Sequence, residues 1–431
     1  MLEKFNKISF FLKRKYLSHK SDFVKNSIHL AGGTFGSQII LILASPLLTR
    51  LFDSDEFGLL AVFTSLASVL SIVMTGRYEM AILLPKKNSE LKALLSFLVI
   101  LMVSVTLSVY IIGAILDYNL NLKVILGESY NIRYLIPILG FLLAGIQILN
   151  FYSIRLNNIN AINKSKITQS ISYVLIAFLL IQFHETSYTL IISNMIAASV
   201  CIVILLTKNE ISTGRRLTLS SLRIIKIVAR EYKKMIFYNM PNGLIDTMRI
   251  FSLNALITMF YSSSTLGFYA LGYRLIQVPV NIVGSGISQS AFKTLADLND
   301  NQKYSFIIST IKNLFMISII PFLLAYSFAP LIFKILFGEN WMESGYFVRI
   351  IAPWMWLNFI ASPISSYYLV IQKQEISLAL STLYFIMPIS IILLLKNEDF
   401  TQVLTYISIG MSSVQILFIV LTVIISKNRA K

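Results

Sequence analysis

The 431-residue chain contains one cysteine and three histidines, so neither a disulfide framework nor a cysteine- or histidine-rich metal site can be built from it. Charged residues make up only 13% of the sequence while hydrophobic ones make up 56%, a balance outside the range of soluble domains. Acidic residues are scarcer than basic ones, 20 against 37, giving a formal net charge of +17. The basic residues sit in short loops between apolar runs and not on a folded basic domain, which argues against a nucleic-acid partner and for membrane topology. A cleavable signal is not expected either, because the first apolar run begins near Ile28 behind a polar, basic leader with no small-residue cleavage pattern.

What the chain has in abundance is apolar runs of membrane-spanning length. Twelve are expected to form helices, at 28–51, 58–84, 92–116, 133–154, 167–183, 187–207, 236–260, 266–291, 306–328, 348–371, 376–395 and 400–426. The fold class that follows is an all-α polytopic membrane protein. Most of the lysines and arginines fall in the leader, the even-numbered loops and the tail, which predicts both termini on the cytoplasmic side.

The chain also repeats itself. At an offset of 209 residues, Thr49, Gly58 and Ala61 coincide with Thr258, Gly267 and Ala270, and residues 47–63 lie on their counterparts without a gap. Gly127 and Glu128 match Gly338 and Glu339, and Arg133 with Pro137 matches Arg349 with Pro353 after a short insertion. Six spans per copy, both entering from one side, predict two pseudo-symmetric six-helix bundles around a central cavity. The expected organisation is a basic leader (1–27), an N-terminal bundle (28–207), a basic amphipathic connector (208–235), a C-terminal bundle (236–426) and a short tail (427–431). The connector reads as an interfacial helix, with Leu222, Ile225, Val228 and Tyr232 on one face and Arg223, Lys226, Arg230 and Lys233 on the other.

Candidate functional residues are the polar ones at membrane depth. Asn239, Asn242, Asp246 and Arg249 step along one face of the seventh span; Arg274, Gln277, Asn281, Ser285 and Ser288 do so in the eighth; Ser65, Ser68, Thr75 and Glu79, with Arg77 nearby, do so in the second. A charge at bilayer depth costs roughly 2.5–3.5 kcal/mol on insertion scales, so these groups must face protein or water. Arg77, Arg249 and Arg274 outnumber Asp246 and Glu79, and guanidinium in excess suits an anionic substrate. A structural Asp246–Arg249 pair is the competing reading of the seventh span. Asp246 and Glu79 are candidates for ion coupling to a proton or sodium gradient; no cofactor is expected. Gly32, Gly33, Gly36, Pro46, Pro241 and Gly243 are candidate hinges or close-packing points.

Lys25, Asn26, Gly33 and Gln38, the blocks LLTRLFDSDEFGLLAVF (47–63) and GRYEMAILLP (76–85), and the paired Gly-Glu sites at 127–128 and 338–339 give the chain its family likeness. It resembles the O-antigen and capsule repeat-unit flippases of the multidrug/oligosaccharidyl-lipid/polysaccharide exporter superfamily. The resemblance implies a V-shaped pair of bundles in the bacterial inner membrane and a substrate of undecaprenyl-pyrophosphate-linked oligosaccharide. It also implies surrounding membrane lipid and a polysaccharide polymerase and chain-length regulator as partners. The cationic positions it offers for the cavity are Arg50, Arg77, Arg249 and Arg274. Two other readings stand beside it: a drug or cation antiporter of the same superfamily, and a membrane glycosyltransferase or polymerase using Asp53 and Asp55.

Overall fold

A computed structural model describes residues 32–116, 132–182, 188–209 and 222–430. The leader, the Gly127-Glu128 pair and most of the connector's first half lie outside the described residues, and at a few helical positions, Asn281 and Ser285 among them, only the backbone is described.

Among the described residues, twelve helices have 20 residues or more. They are α1 (Gly32–Leu51), α2 (Ser54–Thr75), α3 (Asn88–Leu116), α4 (Ile136–Arg155), α5 (Ile159–Ile181) and α6 (Thr189–Lys208). After a short amphipathic helix α7 (Leu222–Glu231) come α8 (Met240–Phe260), α9 (Ser263–Asp297), α10 (Asp300–Phe337), α11 (Met342–Ile364), the short α12 (Ser366–Val370), α13 (Gln374–Leu394) and α14 (Phe400–Ala430). Eleven of the predicted spans are helical segments long and apolar enough to cross a membrane. The remaining one is α9, which carries Arg274 and Gln277.

Two of the span boundaries that differ from expectation move a functional residue. The second span was expected to run to 84, but α2 stops at Thr75, where Gly76 and Arg77 both take left-handed backbone (φ 55° and 61°) before a 3-10 segment at Tyr78–Leu83. Glu79 therefore leaves the stripe of Ser65 and Ser68. The fifth span begins eight residues before expectation, because the Asn158 side chain accepts from the Ala161 amide and caps the polar start of α5. Lys166 is thereby carried two turns into the helix. Pro241 follows closely on a π-helical turn at Met235–Asn239, so the seventh span is irregular just where the hinge candidates Pro241 and Gly243 lie.

α2 is the centre of the molecule, packed on α4 in its own half and on α8 and α9 in the other. At its beginning the two halves touch through the repeat itself. A Cβ on Gly58 would fall 1.9 Å from the Ser263 carbonyl oxygen, and one on Gly267 would fall 1.8 Å from that of Ser54. The two equivalent glycines thus cross reciprocally, and the hydroxyls of Ser54 and Ser264 meet beside them. Trp341 seals the same end: its ring sits edge-on to Phe57 (5.1 Å) and Phe268 (5.4 Å), and its indole N–H donates to the Thr49 carbonyl (3.0 Å). Gly33 and Gly36 serve close packing as well, lying against Asn163 and Ile167 of α5.

At the opposite end, Ile225 and Val228 of α7 are buried in a cluster with Met74, Tyr78 and Leu94, and the Tyr78 hydroxyl donates to the Ala229 carbonyl (3.0 Å). Arg223, Lys226 and Arg230 are exposed.

Asp53 and Asp55 are exposed in the turn that begins α2, where the Asp53 amide donates to Glu56 (3.0 Å). Asparagine caps a helix about as well as aspartate, and first-turn charge contributes roughly 0.3–1 kcal/mol. The double variant Asp53→Asn, Asp55→Asn is therefore expected to keep more than half of wild-type activity in reconstituted vesicles. Total loss in correctly inserted protein would point to chemistry at this turn.

Candidate functional site

Two cavities of about 380 Å³ each share Leu60, Asn194 and Arg274 as wall residues and so form two arms of one space. The first arm lies between α2, α8 and α9, where the period of α2 turns Thr64, Ser65 and Ser68 toward Asn254 of the other half. The second lies between α1, α5 and α6, and is lined by Thr34, Gln38, Lys166, Gln169 and Tyr173. Arg274 projects from α9 into the junction.

The charges of this space are cationic. Among the described residues neither Arg274 nor Lys166 has a carboxylate partner within 4.0 Å. The Lys166 ammonium donates to the Thr34 hydroxyl (2.8 Å), which leaves two of its three N–H groups for other acceptors. Tyr173 is buried, and its hydroxyl has no hydrogen-bond partner among the described residues. A buried hydroxyl left unpaired costs about 1–3 kcal/mol, so this O–H is open to a ligand or a water in the second arm. One cation comes from each half of the repeat. Chemically the arrangement can take a bidentate anion of the phosphate type at the junction.

Arg274 is thus placed in both arms. Ser65 and Ser68 join it in the first, while Thr75 is buried at the far end of α2. Neither arm is lined by Arg50, Arg77, Asn242, Asp246, Arg249, Gln277 or Glu79. Arg50 is exposed at the end of α1, and Gln277 is half-buried on α9. Arg77 lies against Gly243, where an added Cβ would come within 2.4 Å of its Nε, and sits 3.6 Å from Glu79. The Glu79 carboxylate is fully buried, with no hydrogen-bond partner for either oxygen among the described residues. This second polar cluster, with Asp246 and Asn242 exposed on α8 beside it, closes the end of α2 opposite the glycine crossing.

Arg249 and Arg274 were expected to face one cavity; Arg274 lines both arms and Arg249 lines neither. The Arg249 guanidinium lies 5.0 Å over the ring of Tyr384 on α13, and the Tyr384 hydroxyl accepts from the Trp354 indole (2.6 Å). No ion pair joins Arg249 to Asp246 within 4.0 Å among the described residues; the guanidinium is held by the Tyr384 ring and by a hydrogen bond to the Tyr273 side chain. A desolvated cation–π contact contributes about 2 kcal/mol. Arg249→Leu is expected to lower the unfolding temperature of the purified protein by several degrees, and adding Asp246→Ala should restore none of it. Recovery in the double variant would reinstate the ion pair.

Lys166, Tyr173, Asn194 and Asn254 were not foreseen as site residues. Lys166 was read as a loop residue because the polar run before 167 hides the start of α5. The asparagines are single polar residues in apolar runs, a signal that the sequence does contain.

Against known proteins, a family profile described as polysaccharide biosynthesis protein matches residues 47–345, more than half of the chain. No curated protein sequence matches it. Solved structures do. One described as lipid II flippase MurJ in an inward closed conformation aligns over 92% of this chain and 87% of its own, at TM-score 0.75 and 13% identity. An inward-facing multidrug resistance MATE family transporter of the MOP superfamily aligns over 93% and 94%, at TM-score 0.65 and 14% identity. A MOP superfamily transporter from Pyrococcus furiosus, described as having a binding pocket of reverse polarity, aligns over 95% and 97%, at TM-score 0.60 and 15% identity. At such identities these are likenesses of fold.

Proposed function

The chain belongs to the polysaccharide biosynthesis protein family, and from that premise we propose that it is a flippase for undecaprenyl-pyrophosphate-linked oligosaccharide units of O-antigen or a related surface polysaccharide. It works in the bacterial inner membrane, with both termini cytoplasmic, and moves the unit from the cytoplasmic to the periplasmic leaflet. The carrying observation is the junction where Arg274 of one half and Lys166 of the other, with the Tyr173 hydroxyl beside them, face a space in which, among the described residues, no carboxylate pairs with either cation.

A sugar chain and a pyrophosphate cannot cross hydrocarbon, because each polar group would lose its hydrogen bonds. A polar cavity removes that barrier while the lipid tail stays in the bilayer. No chemical step is needed, only two states of different affinity for the head group. With both termini cytoplasmic, the end at which Gly58 and Gly267 cross would be periplasmic and the end at which Arg77 meets Gly243 cytoplasmic. The buried Glu79 and the exposed Asp246 are the groups through which a proton or sodium gradient would act. A cavity with two unpaired cations does not suit the cationic cargo of a drug antiporter.

Protein purified into nanodiscs should bind the pyrophosphate-linked oligosaccharide at least tenfold more tightly than the same oligosaccharide on undecaprenol without phosphate. Equal affinities would contradict a pyrophosphate site.

A further inference from the structure

We propose that α7 is a binding site for anionic phospholipid of the leaflet beside it, formed by a strip of the helix other than the face its sequence offers to a membrane. The site requires that the chain span a membrane and not that it be a flippase. At 3.6 residues per turn, α7 divides into three strips. The first, Ile225 and Val228, is the expected membrane face, and it is spent on protein: both side chains are buried in a cluster with Tyr78, Leu91 and Leu94. The second is basic, and its Arg223, Lys226 and Arg230 are all exposed. Beside it Ile224 and Ile227 form a second apolar strip, 39% and 58% exposed. Just beyond the helix, at the start of the next apolar span, Phe237 and Tyr238 are exposed further, at 69% and 68%.

The depth of α7 decides what covers the second strip. α7 rests on the first turns of α3, a helix long and apolar enough to cross a membrane, whose polar start at Asn88 marks the membrane surface. Leu91 and Leu94 lie about 5–9 Å along α3 from that start, at ~1.5 Å per residue. An interfacial helix buries its apolar face by about 5–10 Å, at the boundary of headgroups and acyl chains. Ile224 and Ile227 therefore meet the outermost acyl carbons, and the basic strip beside them stands among the headgroups. Charge then selects the lipid. Lys233 and Lys234 bring the exposed cations to five, and among the described residues none of the five has a carboxylate within 4.0 Å. Glu90 at the start of α3 is already paired with Lys87 (3.9 Å), which leaves Glu231 as the acidic residue of α7 itself. A cluster of about 4–8 Lys and Arg residues on such a helix attracts anionic headgroups, whereas a zwitterionic headgroup brings no net charge to it. Lipid held here also steadies the segment beside Arg77, because the Tyr78 hydroxyl donates to the Ala229 carbonyl of α7 (3.0 Å).

The test uses the full chain with Ile227→Cys in a Cys201→Ala background, carrying a fluorophore at residue 227, in phosphatidylcholine nanodiscs. Lipid with a spin label on its acyl chain is titrated in, as phosphatidylglycerol in one series and phosphatidylcholine in the other. Phosphatidylglycerol is expected to quench the fluorophore at about a fivefold lower mole fraction or less, since each cation near an anionic surface contributes about fivefold. Arg223→Gln, Lys226→Gln and Arg230→Gln together should bring the two series to within about twofold of each other, with the unfolding temperature unchanged because all three side chains are exposed. Arg223→Lys with Arg230→Lys should keep the preference, because a headgroup layer takes point charge as well as a planar fork. Equal quenching by the two lipids, no quenching by either, or a preference that survives the triple glutamine variant would overturn the proposal. Shielding of the fluorophore by added polyglutamate, without a preference for phosphatidylglycerol, would assign the strip to an acidic protein and overturn it too.

Discussion

Valine at Gly58 or Gly267 is expected to remove more than nine-tenths of transport while the protein still inserts at normal levels. The backbone of the facing helix already lies 1.8–1.9 Å from where each Cβ would be, so no side-chain rearrangement can accommodate the new atoms and the helix beginnings must move apart. Overpacking of this kind costs about 1–3 kcal/mol, enough to shift a two-state equilibrium by about 5–150-fold away from the closed form. A cysteine pair at Ser54 and Ser264, in a background with Cys201→Ala, reads that shift directly, since the two hydroxyls touch in the closed state. Oxidative cross-linking should be efficient with the glycines intact and fall at least fivefold when Gly58→Val is added. Gly113→Ala, where an added Cβ meets nothing within 4 Å, is the matched control and should behave as wild type. Normal transport by the Gly58 variant would mean that the crossing is a static seam.

The second large effect belongs to Arg274. It is the cation common to both arms, and hydrogen bonds to charged groups contribute about 1.5–3 kcal/mol each. Arg274→Ala is expected to reduce head-group affinity by about 10–150-fold and transport in proportion, with unfolding temperature and expression unchanged because no described carboxylate is left unpaired by the substitution. Arg274→Lys should keep part of both, since a point charge replaces a planar fork. Lys166→Met should cost less than Arg274→Ala, and the two together should abolish binding. A destabilised but binding-competent Arg274→Ala would mark the residue as structural.

Much of this protein's frame was legible in its sequence because apolar length and the internal repeat are strong signals. The repeat even pointed to Gly58 and Gly267 and to a pseudo-symmetric pair of bundles, but it could not show that these equivalent glycines are the ones that touch each other; which positions meet between the halves only packing reveals. Span ends were less legible, and two of those errors bore on the site. Gly76 and Arg77 break α2 through left-handed backbone that no apolar pattern records, so Glu79 was read onto a stripe that it leaves. The Asn158 cap starts α5 within a polar run, so Lys166 was read as a loop residue. Arg249 shows a third limit. Helical spacing gave the face on which it sits, but the partner on that face is Tyr384, more than a hundred residues away in sequence, and aromatic residues of the last spans carried no mark of facing a cation.

Translocation itself tests the account most directly. Wild type, Lys166→Met with Arg274→Ala, and Gly58→Val would be reconstituted into vesicles whose inner leaflet is loaded with undecaprenyl pyrophosphate bearing a fluorescent oligosaccharide. Appearance of sugar in the outer leaflet would be read by a membrane-impermeant quencher. The account predicts rapid protein-dependent transfer by wild type and rates near those of protein-free vesicles for both variants. Transfer by wild type no faster than by protein-free vesicles, or equal transfer by all three proteins, would contradict it.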